Sequence, residues 1–302
     1  MLPELATCPI PAEITISAPE PNLAELALDT ILAPFQPLRE QFTAITGLGL
    51  EADLPENVGL RRIFRPAEGG TLSYLAVGSP AGQRILFLHG SPGLAEEWAH
   101  FLVDVPGQYR IAVDRPGFGD SRTEVPVTAL DAQAGAVAPL LGPPGTAPAV
   151  LVGYSYGGPV ALRLAADHPD RVAAVLLIGS AADPGLEETH PLQLLAAQEF
   201  FSGLLPDELA HANAELLDLP DGLQDLGEAL AGITAPVTMV QGLSDSLVPP
   251  ENVSYLRARL PPDLPQRVIL VEGADHFLPW TSTSLLEDAL GCALGDAGWV
   301  RR

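Results

Sequence analysis

From about residue 59 the chain alternates short apolar runs with Gly and Pro turns, and further on with segments of helical period. Eight runs have strand character, at 60–65, 71–77, 85–88, 111–113, 149–152, 172–178, 237–241 and 268–271. Strands interleaved with helices predict an α/β architecture with a mostly parallel sheet. The runs LFLH, VLVG and VLLIGS are continuously apolar, as in strands covered on both faces. The first two runs alternate more, which predicts an antiparallel edge. Between 182 and 232 strand character stops, and PLQLLAAQEFF and PDELAHANAELLDL read as short amphipathic helices. That stretch is an inserted helical cap between two parts of one core, 57–181 and 233–302. Residues 282–294 read as a closing helix.

Residues 1–56 differ from the rest. They begin Pro-rich, then place Leu23, Leu26, Ala27 and Ile31 at helical spacing until Pro34 and Pro37 break the pattern. This extension is read as structural cover on the body, with a homodimer contact or a part of the active-site entrance as the functional alternative.

Composition narrows the function classes. Hydrophobic residues make up 47% and charged residues 18% of 302, enough to bury one large core. A formal charge of −23 repels phosphate backbones, so nucleic acid is not an expected partner. No run approaches the length of about 18 apolar residues that spans a membrane. Cys8 and Cys292 sit near opposite ends without metal-ligand spacing and are expected to be free thiols. The first arginine is Arg39, so a basic signal region is missing, and the cytoplasm is the default location.

Candidate chemistry centres on Gly153-Tyr154-Ser155-Tyr156-Gly157, a G-x-S-x-G between an apolar run and a helical run. Such a turn lifts a serine hydroxyl clear of the sheet, and the glycines remove Cβ atoms that would collide with nearby backbone. Upstream, the strand 85–88 ends in His89-Gly90-Ser91-Pro92-Gly93. A tetrahedral oxyanion needs two fixed N–H donors. Pro92 has none, which leaves the amides of Ser91 and Tyr156. The loop Asp114-Arg115-Pro116-Gly117-Phe118-Gly119-Asp120-Ser121 is read as a structural buttress, with Phe118 near the pocket floor. After the serine, GLSD ends in Asp245 and EGADHF carries His276, each beyond a strand. An imidazole that takes the serine proton needs a carboxylate on its other nitrogen. Asp245 supplies it, with Asp183 as the alternative. His89, His100, His168, His190, His211 and His276 show no metal-ligand spacing, and no nucleotide-binding fingerprint occurs, so neither a metal nor a cofactor is expected.

Together, HGSPG, DRPGFGDS, GYSYGG, GLSD and DHF, in this order, resemble the α/β-hydrolase superfamily over roughly residues 59–297. The resemblance implies an eight-stranded, mostly parallel sheet flanked by helices, with a helical cap after the sixth strand. By motif match it implies Ser155 as nucleophile, His276 as base, Asp245 as acid, and the Ser91 and Tyr156 amides as oxyanion donors. Epoxide hydrolases and haloalkane dehalogenases of the superfamily carry aspartate where Ser155 stands, which argues against both. The leading function is hydrolysis of a small-molecule carboxylic ester through an acyl-serine. Its pocket would be shaped by Trp98, Tyr154, Phe200, Phe201, Phe277 and Trp280. HGSPG is also similar to the loop of proline iminopeptidase-like enzymes, whose carboxylates could here be Glu96, Glu97, Glu187 or Glu188. Acyltransferases, carbon–carbon hydrolases and cofactor-free haloperoxidases keep the same triad. A ligand-binding module on the same scaffold is the non-enzymatic alternative.

Overall fold

The computed structural model describes residues 8–18, 59–67, 69–123, 125–187, 193–194, 197–198 and 206–299. Its strands are β1 (Glu13–Ser17), β2 (Arg61–Ala67), β3 (Gly70–Gly78), β4 (Gln83–Leu88), β5 (Gln108–Val113), β6 (Arg122–Thr123), β7 (Ala149–Tyr154), β8 (Val172–Ile178), β9 (Val237–Gly242) and β10 (Gln266–Glu272). They form one sheet in the order β1-β10-β9-β8-β7-β4-β5-β3-β2, with β6 paired to β3 off this path. The eight expected strands all form. As their alternation predicts, β2 and β3 are antiparallel to each other, and β3 is antiparallel to β5. The strands from β5 through β4, β7, β8, β9 and β10 to β1 run parallel.

The continuous apolar runs divide their side chains between two cores because successive residues point to opposite faces. Leu86, Leu88, Leu151, Val175 and Leu177 enter one core, and Ile85, Phe87, Val150, Val152, Leu176 and Ile178 the other. The first face is covered by helices α1 (Leu130–Val137), α2 (Gly157–Asp167), α3 (Asp207–Ala229) and α4 (Glu251–Arg259). The second is covered by α6 (Thr283–Asp296), which follows the short α5 (Leu278–Thr281). Parallel strands of this kind deliver their C-terminal loops to one edge of the sheet, where α/β folds place their sites.

Three features differ from the sequence expectations. The sheet has ten strands rather than eight, because the two-residue β6 pairs with β3 and EITIS in the N-terminal extension adds β1 beside β10, from Glu13 opposite Val268 to Ser17 opposite Glu272. Its β-branched residues alternate with polar ones, which suits an edge strand. The expected helix around Leu23–Ile31 lies outside the described residues. Second, α3 is one helix of 23 residues where a shorter one was expected, continuing through Pro220. Proline removes one backbone bond there, but Leu219, Leu223 and Leu226 on the same stretch are buried in the core and hold the flanking turns.

Third, Cys8 and Cys292 are not free thiols but a disulfide, with Cα atoms 4.6 Å apart. The pairing of β1 with β10 carries the N-terminal segment alongside α6, and residues 284 positions apart become neighbours. Disulfides persist mainly in oxidising compartments, so this pairing lends no support to the cytoplasm as the default location. A cross-link closing so long a loop restricts the unfolded chain strongly. Cys8→Ser/Cys292→Ser is expected to lose about 2–5 kcal/mol in denaturant unfolding. A variant as stable as the parent would contradict this. Among the described residues no helix is long and apolar enough to cross a membrane.

Candidate active site

Ser155 is the single non-glycine residue with a positive φ, 51°, among the described residues. It sits between the end of β7 and the start of α2, its N–H donating to Ile178 O (3.0 Å) and its carbonyl accepting from Gly158 N (3.0 Å). The flanking glycines permit the turn. A Cβ on Gly153 would fall 2.5 Å from Gly157 O, and one on Gly157 would fall 2.2 Å from Leu88 O, both unyielding backbone atoms. This φ costs an L-residue of order 1 kcal/mol or more and is retained where the surroundings over-determine it.

His276 lies beyond β10 and Asp245 beyond β9, both buried. The His276 Nδ1–H donates to Asp245 Oδ2 at 2.7 Å. Gln241 Nε2 donates to the same oxygen (3.1 Å), while the amides of Leu247 and Val248 donate to Oδ1 (3.0 and 2.8 Å). With Nδ1 carrying its hydrogen toward the carboxylate, Nε2 is left as the acceptor nitrogen. Asp183, the alternative acid, instead accepts from Gly185 N (2.9 Å) in the 3₁₀ turn Pro184–Leu186.

The ring of Tyr154 links the parts of the site. It lies 5.0 Å from the His276 ring and 5.6 Å from Trp280. Phe277 packs 5.9 Å from His276 and 6.2 Å from Trp280. A Cβ on Gly90 would stand 3.0 Å from Ser155 Cβ and 3.3 Å from Tyr154 Cε1, so the HGSPG loop faces the serine at van der Waals range. Of the six aromatics singled out in the sequence, Tyr154, Phe277 and Trp280 therefore gather around His276. Trp98 does not: it is buried against Phe87 (5.1 Å) and Phe101 (5.7 Å) and belongs to the core. Its size and the buried strand β4 beneath it account for that. Phe200 and Phe201 lie outside the described residues.

Ser91 opens the loop with a cis peptide to Pro92. The amides of Ser91 and Tyr156 have no backbone acceptor among the described residues. The loop is held from below by DRPGFGDS. Arg115 donates from Nε to His89 O (3.0 Å) and from a terminal nitrogen to Gly90 O (2.7 Å), and its amide donates to His89 Nε2 (2.9 Å). His89 Nδ1–H donates to Gly90 O (2.8 Å). Burial, aided by the Arg115 charge, holds the His89 imidazole well below the usual histidine range, so it is a neutral strut. Phe118 is buried edge-on to His89 (5.4 Å) and His211 (5.0 Å), beneath the loop. Asp114 fixes the neighbouring turn by accepting from Ala95 N (2.8 Å) and pairing with Arg62, which also pairs with Glu96.

A buried pair escaped the sequence reading: Arg115 is bidentate to Glu215 on α3 (2.7 and 2.8 Å), both side chains fully buried. The available signal was His211 and Glu215, polar residues four apart and in line with Leu219 on a stripe that is otherwise buried.

The carboxylates considered for binding an amino terminus are scattered in role. Glu96 is engaged by Arg62, and Glu188 lies outside the described residues. Burial pushes Glu97 up to about 8, and burial together with Asp183 pushes Glu187 up to about 7. A carboxyl raised in the native state ionises first in the unfolded chain. Its stabilising contribution is thus full below about pH 4.5 and lost as pH rises toward 8. Glu97→Gln is expected to unfold like the parent at pH 4 and to be more stable at pH 9, by on the order of 1–2 kcal/mol for this partly exposed side chain. Equal gains at both pH values would contradict that origin. Among the described residues no cluster of His, Cys, Asp and Glu could hold a metal ion.

Residues 85–291 match the sequence model of the alpha/beta hydrolase family. The chain is 30% identical over 233 residues to the pimeloyl-[acyl-carrier protein] methyl ester esterase of Neisseria meningitidis serogroup A, covering 65% of this chain and 72% of that protein. It is 42% identical over 106 residues to lipase LipV of Mycobacterium tuberculosis, covering 34% of this chain and 39% of the lipase. The chain spans only 35–39% of the length of the first curated relatives it matches. The crystal structure of a putative lipase from Acinetobacter baumannii superposes with a TM-score of 0.62 at 19% identity, covering 80% of this chain and 92% of the other, which speaks to the fold alone. By family match, sheet order and the strand-turn-helix around Ser155, the chain belongs to the alpha/beta hydrolase family.

Proposed function

We propose that the chain is a serine esterase that cleaves a small, uncharged carboxylic ester through an acyl-serine intermediate. The observation that carries this reading is the bond from His276 Nδ1 to Asp245, at 2.7 Å, with the ring of Tyr154, the residue before the positive-φ Ser155, 5.0 Å from the His276 ring. In this mechanism His276 Nε2 takes the Ser155 proton as Oγ attacks the ester carbonyl. Asp245 keeps the imidazole in the tautomer that can do so and stabilises the imidazolium that forms. The Ser91 and Tyr156 amides, with the N-terminus of α2, receive the charge on the tetrahedral oxygen. Collapse expels the alcohol, which takes the proton from His276. Water then repeats the sequence to release the acid and regenerate Ser155.

Tyr154, Phe277 and Trp280 offer an apolar wall beside His276 for the acyl or alcohol group. The −23 formal charge disfavours anionic substrates and partners, which is why a neutral ester is proposed although a relative is named for a carrier-bound one. The aminopeptidase alternative is weakened, because Glu96, one of the carboxylates it would use, is already paired with Arg62. The residues between β8 and β9, with α3 among them, act in this reading as a cap that shapes substrate choice. A panel of p-nitrophenyl esters of varied acyl length, run beside aminoacyl p-nitroanilides, tests the proposal. Ester turnover with negligible anilide cleavage is expected, and the reverse would contradict it.

A further inference from the structure

We propose that Arg115 and Glu215 are a positioning pair that aims both oxyanion amides, so that a helix between β8 and β9 sets the strength of transition-state binding. This rests on the esterase reading above. The Gly90 carbonyl and the Ser91 N–H belong to one planar peptide unit and point in opposite directions. Arg115 holds that carbonyl at 2.7 Å and the preceding one, of His89, at 3.0 Å. Fixing the oxygen therefore fixes the direction of the Ser91 N–H. At a glycine this restraint is needed, because Gly90 has no Cβ to limit rotation of its backbone. A cationic donor on the carbonyl also polarises the amide and strengthens its N–H as a donor.

The second amide is reached through a side chain. The Arg115 guanidinium lies over the Tyr156 ring, 4.5 Å from its centre, and over Phe118 at 4.8 Å. Tyr156 is anchored at its other end, its hydroxyl donating to Thr128 O (2.9 Å). One planar cation thus touches the carbonyl of the peptide unit that carries the Ser91 N–H and the ring of the residue that carries the other proposed donor. Glu215 orients it, taking two of the three remaining N–H groups of the fork, while Gln133 on α1 donates to Glu215 Oε2 (3.3 Å). The same helix is seated on this loop by His211, whose ring occupies the space a Cβ on Gly117 would need. Glu215 touches no reacting atom in this scheme and acts through Arg115.

A purely structural pair would behave differently, since buried ion pairs can often be exchanged for apolar residues with little loss of stability. The test is Glu215→Gln together with the double variant Arg115→Met/Glu215→Leu. For each, kcat and KM on the best p-nitrophenyl ester, the inhibition constant of an arylboronic acid, and thermal unfolding are measured. Glu215→Gln is expected to lower kcat about 10- to 100-fold, short of the 10²–10³ lost with a whole oxyanion donor, and to leave KM within about threefold. Boronic acid affinity should fall in parallel with kcat/KM, because that ligand mimics the tetrahedral state. The double variant should remain folded and lose at least as much kcat, and it decides the matter if Glu215→Gln does not fold. Unchanged kcat in folded Glu215→Gln, or restored kcat in the double variant, overturns the inference while leaving the esterase reading intact. A parent protein that neither cleaves esters nor binds the boronic acid overturns both.

Discussion

Ser155→Ala is expected to lose turnover by about 10⁶-fold while unfolding at nearly the parent temperature. The hydroxyl is the atom that forms the acyl bond, and no neighbouring side chain can replace it from the same turn. Alanine meets the same backbone strain at φ 51° that serine meets, so the fold should not register the change. Ser155→Gly should lose the same activity and gain of order 1 kcal/mol in stability as that strain is relieved. Retention of more than about a hundredth of the parent rate by either variant, against the full loss expected, would remove Ser155 from the mechanism.

The second large effect falls on the acid. Asp245→Asn should lower kcat about 10⁴-fold, and the surrounding donors explain why. Oδ1 accepts the amides of Leu247 and Val248, so an asparagine must keep its oxygen there. Its NH₂ is then forced toward His276 Nδ1, where the parent presents an acceptor. The imidazole must turn that nitrogen into an acceptor and move its hydrogen to Nε2, the atom needed to receive the serine proton. Asp183→Asn, whose carboxylate serves only a local turn among the bonds seen, should leave kcat within about threefold of the parent, as for a group outside the reacting unit. Reversal of these two results would move the acid to the end of β8.

Much of this arrangement was legible along the chain because it is encoded locally. The strands announce themselves as apolar runs, and the elbow as glycines flanking a serine between a strand and a helix. Local patterns also distinguished Asp245 from Asp183 only in part, since both follow strands. The deciding contact to His276 depends on β9 and β10 being neighbours in the sheet. What escaped was the product of long-range packing. EITIS is too short to declare itself, and only its place beside β10 brings Cys8 to Cys292. Trp98 has the same chemistry as a pocket aromatic and differs only in lying over β4 in the core. Glu215 resembles any helical glutamate until α3 docks it on Arg115, a hundred residues away in the chain.

The most direct test of the central claim is to treat the folded protein with a fluorophosphonate and locate the adduct by peptide mass mapping. Stoichiometric labelling confined to Ser155, suppressed in His276→Ala, is the predicted result. An unlabelled Ser155 in a protein that cleaves esters, or an adduct on a different residue, would contradict it.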